Sequence, residues 1–406
     1  MSPFTLRGTT PANDGGGLGA LRQTFVRAFG GAAVLALALG ASAGCVKSGS
    51  DSNSATGKDC SVKIAFFGAL TGPNAALGIN IKDGAKLAID QYNASKSADN
   101  CKIELVNNDS QGDEKQAPGL ADAIVQDAKI IGVVGPAFSG ESKAANGKLS
   151  DNGVTIITPS ATNPTLADKG WKTFHRALGN DAAQGLAAGR YIKDVVKATK
   201  VFVIDDTSEY GKGLADEVKK TVTPVATGTT SKGQTDFSAL ITQIKSSGAD
   251  AVYYGGYYAE AAPFVKQLRG QGVKATFVAG DGVKDDKFIE GAGKDAAEGA
   301  ILTCPCVPPD KAGGTFAADY KKATGNDPGT YSAEAYDAAN ILVAAVKAGN
   351  ITRPKVEAFV DAYNGKGVTT TFKFTDKGEI DLSAVAVWAY KVEGGKIVAL
   401  QEIPKP

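Results

Sequence analysis

The chain has 406 residues, 43% hydrophobic and 21% charged, which is enough length for two domain-sized cores. Lys plus Arg number 44 against 43 Asp plus Glu, a formal net charge of +1, which argues against the basic surface that a nucleic-acid partner requires. A single histidine in the whole sequence removes most metalloenzyme and triad chemistry, so neither a metal site nor a cofactor is expected.

At the N-terminus, Arg22 and Arg27 precede an apolar run from Ala28 to Ala41 that ends in small residues and Cys45. The run is short of the roughly 20 residues of a membrane span and suits a signal peptide over residues 1–44. The "SAGC" ending resembles a bacterial lipobox, which makes Cys45 the expected lipidation site and the only attachment to the membrane. Residues 45–59, a Ser/Gly/Asp/Asn tract with nothing to bury, read as a flexible tether. The protein is therefore expected outside the cytoplasmic membrane, on its outer face. The "GGGLG" run at Gly15 to Gly19 lies in this leader, follows no strand, and is not read as a dinucleotide motif.

From Val62 onward, short β-rich runs alternate with helical patterns. "VKIAFFGAL" precedes a helix with Ala85, Ala88, Ile89 and Tyr92 on one face, and "KIELVNND" precedes one with Leu120, Ile124, Val125 and Ala128 aligned. "IIGVVGP", "GVTIITPS", "KVFVIDD", "DAVYYGG", "KATFVAGDG" and "GAILTC" continue the series, with helices between most of them. This order predicts parallel sheets covered on both faces, and more than one sheet. The C-terminal quarter has two helical stretches and then strands joined by turns at Gly378 and "EGGK".

Cys60 and Cys101 each lie two residues ahead of a predicted strand, so parallel neighbours would place them within disulfide reach. Cys304 and Cys306 are left either to pair with each other or to form a C-x-C metal site, the weaker reading without nearby histidines.

In open parallel sheets, ligands bind beyond the carboxyl ends of the strands. There the sequence offers Ser139, Ser160 and Thr162, Tyr210, Tyr257 of "VYYGGYYAE", and Asp281 between two glycines. These are hydroxyls, one carboxylate and glycine-freed backbone, suited to a small zwitterion. Taken singly, Ser139 and Thr162 read as helix N-caps, Asp281 as a turn residue and Tyr257 as core. Tyr253 and Tyr254 read as packing. His175 reads as a structural or surface residue, since no nucleophile elbow or H-E-x-x-H accompanies it.

"VKIAFFGALTGPNAALG", "GVTIITPSATNPTL", "DTSEYGKGLADEV", "DFSALITQIK" and "DAVYYGGYYAEAAPFVKQLR" follow one another at spacings that resemble the branched-chain amino-acid-binding family of ABC-transporter solute-binding proteins. The resemblance runs from about Val62 to the C-terminus. It implies an α/β type I periplasmic-binding-protein fold, with two doubly wound parallel-sheet lobes and a three-segment hinge. The lobes would comprise residues 60–179 plus 305–383 and 180–304 plus 384–406, with crossings near Gly179, Cys304 to Pro305, and Leu382 to Ala384.

By position, the resemblance implies that Ser139, Ser160, Ala161 and Thr162 grip the ligand's backbone charges. Tyr257 and Asp281 would close over its ammonium group, with Tyr210 near the cleft. Leu77, Ala137, Phe138 and Tyr331 would line the side-chain pocket. Asp281 stands where the family usually has the longer glutamate, and Leu77 where it has tyrosine. The expected function is capture of a branched-chain or other aliphatic amino acid for an ABC permease and its ATPase subunits, by a monomer with no enzymatic activity. The rival readings are another small solute in the same fold, and a sensor that transports nothing.

Overall fold

Ser61–Gly68, exposed at its first residue and buried throughout its second half, forms β1, an interior strand of the first sheet in the computed structural model. The structure describes residues 60–99, 101–381, 383 and 385–405; the proposed leader, Cys45 and the tether lie outside them. Four further strands complete this sheet: β2 (Lys102–Asp109), β3 (Ile130–Val134), β4 (Thr155–Thr158) and β5 (Phe174–Arg176). Their order is β2-β1-β3-β4-β5 and every pair is parallel. β3 and β4 are buried at every position, as continuous apolar strands between two helical layers should be.

Three helices connect these strands: α1 (Ala75–Ala94), α2 (Ala117–Gln126) and α3 (Ser139–Asp151). The expected stripe Ala85, Ala88, Ile89 and Tyr92 of α1 is buried. In α2 the stripe differs from the expected one, because the helix ends at Gln126 and buries Ala117, Ala121 and Ile124, leaving Ala128 exposed beyond its end.

The second half repeats the plan. Helix α4 (Asp181–Tyr191) leads into β6 (Val201–Asp205), α5 (Glu209–Lys219), β7 (Ala226–Thr229), α6 (Ser238–Ser247), β8 (Ala251–Gly255), α7 (Tyr258–Gly270) and β9 (Thr276–Ala279). The short helices α8 (Asp286–Ala292) and α9 (Lys294–Ala297) precede β10 (Ile301–Cys304). The chain then returns to the first sheet, where α10 (Phe316–Thr324), α11 (Ser332–Lys347) and α12 (Arg353–Asp361) pack as one group, α11 against α1 and α12 against β3 and β4. A hairpin of β11 (Asn364–Lys366) and β12 (Thr371–Lys373) comes next. The last strands, β13 (Trp388–Glu393) and β14 (Lys396–Glu402), complete the second sheet.

That sheet has the order β14-β13-β10-β9-β8-β6-β7. It is parallel from β7 to β10, with β13 and β14 added antiparallel at one edge through the "EGGK" turn. Gly394 and Gly395 take positive φ there, at 59° and 75°, the conformation a tight hairpin requires.

Three chain segments meet where the two halves join. A Cβ on Gly179 would lie 2.3 Å from Val385 Cγ1 and 3.1 Å from Pro305 Cβ, so glycine is what allows them to converge. Leu382 and Ala384, in the expected third crossing, lie outside the described residues, whereas Val385 packs in the core. Cys60 is bonded to Cys101 across the start of the β1–β2 pair, and Cys304 to Cys306 at the end of β10. No described helix is long and apolar enough to cross a membrane.

Candidate functional site

Both sheets reverse their strand order beside the first strand of the unit, between β1 and β3 in one and between β6 and β8 in the other. At such a reversal the loops leaving neighbouring strands run in opposite directions and open a crevice. The two crevices face each other. Leu77 lies in the first turn of α1, which follows β1, and Ala137, Phe138 and Ser139 come after β3; on the opposite side, Tyr210 comes after β6 and Tyr257 after β8.

A narrow cavity of about 10 Å³ lies between them, walled by Leu77, Ile81, Ala137, Phe138, Ser139 and Ser160 from one half. Tyr210 and Tyr257 close it from the other half, and Tyr331, just ahead of α11, completes the wall. Phe138 and Tyr257 meet edge to face at 5.2 Å and separate this cavity from a larger open vestibule, which both rings also line. Ala161, Thr162 and Asp281 are buried behind the wall and do not line the cavity.

Ser139 is the first residue of α3 and Thr162 precedes Asn163, which caps the next turn through its own side chain, so neither serves as a simple N-cap. Ser139 Oγ accepts from Asn163 N at 3.3 Å, which leaves its hydroxyl hydrogen available to a ligand. Ser160 differs from the expected donor role, because its hydroxyl already donates to the Ala137 carbonyl at 2.7 Å and has only acceptor capacity left for a ligand. Ala161 is part of the apolar core, and its carbonyl accepts from Arg176 at 2.5 Å.

Asp281 is fully buried beneath the cavity. Its carboxylate accepts from the Tyr210 hydroxyl at 2.6 Å and from the Tyr331 hydroxyl, one phenol from each half of the molecule. Burial pushes its carboxyl above the ordinary range, and the two phenols oppose that shift. Tyr331, expected to line the side-chain pocket, also presents a polar end to Asp281; its backbone is left-handed, φ 68°. Tyr253 and Tyr254 are fully buried packing residues, and the Tyr254 hydroxyl lies 3.2 Å from Thr230 Oγ1.

Three further residues shape the site without a sequence motif to mark them. Arg176 is fully buried and donates to the carbonyls of Ala161 and Asn163 while pairing with Glu379, at 3.1 and 2.8 Å, so it fixes the loop that carries Ser160 to Thr162. Glu141 is buried at the N-terminus of α3, where its carboxyl accepts from Ser110 Oγ and from Phe138 N at 3.3 Å; burial raises its pKa to about 8. Asp181 opens α4 with both carboxyl oxygens buried and without partners. Burial and the neighbouring Asp281 push it well above the usual carboxylate range. The nearby Thr162 hydroxyl tempers that shift without reaching hydrogen-bond geometry.

Residues 61–396 match the family model described as "Periplasmic binding protein". The chain belongs to the periplasmic binding protein family. It is 35% identical over 348 residues to the Leu/Ile/Val-binding protein BraC3 of Rhizobium johnstonii, covering 84% of this chain and 94% of that one. It is 34% identical to a leucine-, isoleucine-, valine-, threonine- and alanine-binding protein of Pseudomonas aeruginosa, over 79% of this chain and 87% of the relative. Among solved structures, the LivJ substrate-binding protein of Streptococcus pneumoniae, in complex with isoleucine, superposes with a TM-score of 0.79 at 29% identity, covering 85% of this chain and all of that one. The fold is that of the type I periplasmic binding proteins, and the family is one of extracytoplasmic solute-binding receptors.

Proposed function

We propose that the protein captures a branched-chain or other aliphatic amino acid between its two lobes and delivers it to an ABC permease and its ATPase subunits, without catalysing a reaction. The observation that carries this reading is the buried Asp281 carboxylate, held beside the cavity by one phenol from each half. A carboxylate oxygen that accepts one hydrogen bond keeps capacity for another, which an ammonium group would use. Across the cavity, the free hydroxyl hydrogen of Ser139 at the N-terminus of α3 suits the ligand's carboxylate. Leu77, Ile81, Ala137 and Phe138 supply an apolar wall for an aliphatic side chain.

In this reading residues 60–179 plus 305–383 form one lobe and 180–304 plus 384–406 the other. The segments meeting at Gly179, Pro305 and Val385 act as the hinge. Contacts from both lobes coexist only when the cleft is shut, so ligand shifts the population toward closure. The protein acts as a monomer, held to the outer face of the cytoplasmic membrane by lipid on Cys45.

The test is calorimetry on protein freed of bound ligand by partial unfolding, against the twenty amino acids, urea and benzoate. Saturable heat with Leu, Ile or Val, lost in Asp281→Ala, is expected. Binding confined to compounds without an amino group would overturn the assignment of the ligand while leaving the fold untouched.

A further inference from the structure

The only histidine in the sequence lies away from the cleft, on the edge strand β5. His175 is buried, its side chain 2% exposed, between α12 and the Phe374 ring, whose centroid is 4.8 Å away. Glu357 and Asp361, one helical turn apart on α12, face it. One imidazole nitrogen, one Glu357 oxygen and one Asp361 oxygen all lie within 4.8 Å of one another, and His175 Nε2 is 3.1 Å from Asp361 Oδ1.

Hydrogen bonding leaves this group incomplete. His175 Nδ1 and Glu357 Oε1 are both buried and have no partner. Buried polar atoms are costly to leave unpaired, and an unpartnered Glu357 oxygen within a cluster of mixed nitrogen and oxygen donors calls for a bound species. The other Glu357 oxygen accepts from the Thr155 hydroxyl at 2.7 Å, the kind of support that orients a ligating carboxylate. Asp361 has a side chain 59% exposed, which provides an entry path and leaves open positions for water.

We infer that His175, Glu357 and Asp361 form a binding site for a divalent cation of the zinc class. One imidazole and two carboxylates match the borderline donors such ions accept at roughly 2.0–2.2 Å, whereas Mg²⁺ favours an all-oxygen, largely hydrated shell. The site ties β5 to α12, just ahead of the crossing at Gly179. Its occupant would brace one lobe and take no part in holding an amino acid.

The experiment is thermal unfolding of the metal-stripped protein across a Zn²⁺ titration, with Mg²⁺ as the control, paired with calorimetric Zn²⁺ binding. A ligand that binds only the native state raises Tm in a concentration-dependent way. The expected result is one saturable Zn²⁺ site and a rising Tm, with affinity reduced at least tenfold in Asp361→Asn and in Glu357→Gln, and no response to Mg²⁺. Asp361 is exposed, so its variant tests the site without depending on refolding of a buried position. No Zn²⁺ response in the unmodified protein would overturn the inference and leave a proton-held His–Asp pair. A response that persists unchanged in both variants would overturn it as well, by placing the metal elsewhere. Leucine binding measured in the same variants separates this outcome from failure of the proposed function, because the three residues do not line the cleft.

Discussion

Asp281 and Arg176 do opposite jobs with buried charge. Asp281 is held by two phenols and keeps capacity for a cationic partner, whereas Arg176 is already engaged by Glu379 and two carbonyls and serves as a brace. Removing one member of a buried pair strands the other, at about 3–5 kcal/mol. Glu379→Ala is therefore expected to lose about that much stability in urea denaturation, and Glu379→Gln less, because it retains an acceptor. Glu141 gives a pH signature. Its carboxyl titrates near 8 in the folded state against an ordinary value of 4.5, so the native state binds the extra proton between those values. That contribution is full below pH 4.5 and is lost as pH rises toward 8. Comparing urea midpoints at pH 5 and pH 8 should show a steeper decline for the unmodified protein than for Glu141→Gln.

Helices and strands carry the geometry that brings these residues together. The expected β-then-α alternation matches the described elements because buried parallel strands read as continuous apolar runs and α1 shows a clear stripe. The strand-end residues are local features of the chain, so the loop after each strand points directly to Ser139, Tyr210, Tyr257 and Asp281. Arg176, Asp181 and the polar end of Tyr331 are not legible in this way. Arg176 pairs with a residue 203 positions away and Tyr331 with one 50 positions away, and nothing in the local pattern signals such partners. The end of α2 escapes the sequence pattern because Ala128 continues an apolar rhythm after the helix has stopped. At the crossing, a side chain on Gly179 would run into Val385, and Gly179→Ala is expected to cost about 1–3 kcal/mol by overpacking. Its leucine affinity, measured calorimetrically, should also fall if closure requires this convergence. The Cys60–Cys101 bond closes a loop with a sequence separation of 41, worth about 4 kcal/mol on chain-entropy grounds. Double replacement of these cysteines by serine should lower stability by up to that amount and leave ligand specificity unchanged.

Over the whole molecule, the two halves are joined by polar contacts as well as by the cavity. Asn163 donates to the Glu209 carbonyl at 2.7 Å, the Tyr258 hydroxyl accepts from Ala76 N at 3.2 Å, and Lys232 donates to the Gly112 carbonyl at 2.9 Å. The Lys143–Glu209 pair, at 2.7 Å, lies at the exposed rim, where an ion pair contributes at most about 1 kcal/mol. These contacts join the two halves around the cleft, and in the proposed hinge mechanism they would form on closure. The net charge of +1 gives no long-range preference for a charged solute, so under the proposed function recognition of an ammonium group would fall to the buried Asp281 behind the cavity wall. The most direct test compares leucine with 4-methylpentanoate, which is leucine without its amino group, by calorimetry on the ligand-free protein. The account predicts that leucine binds and that 4-methylpentanoate binds at least a hundredfold more weakly, because it leaves the buried Asp281 carboxylate unmatched. Equal binding of the two would contradict the claim that this carboxylate recognises an amino acid's ammonium group.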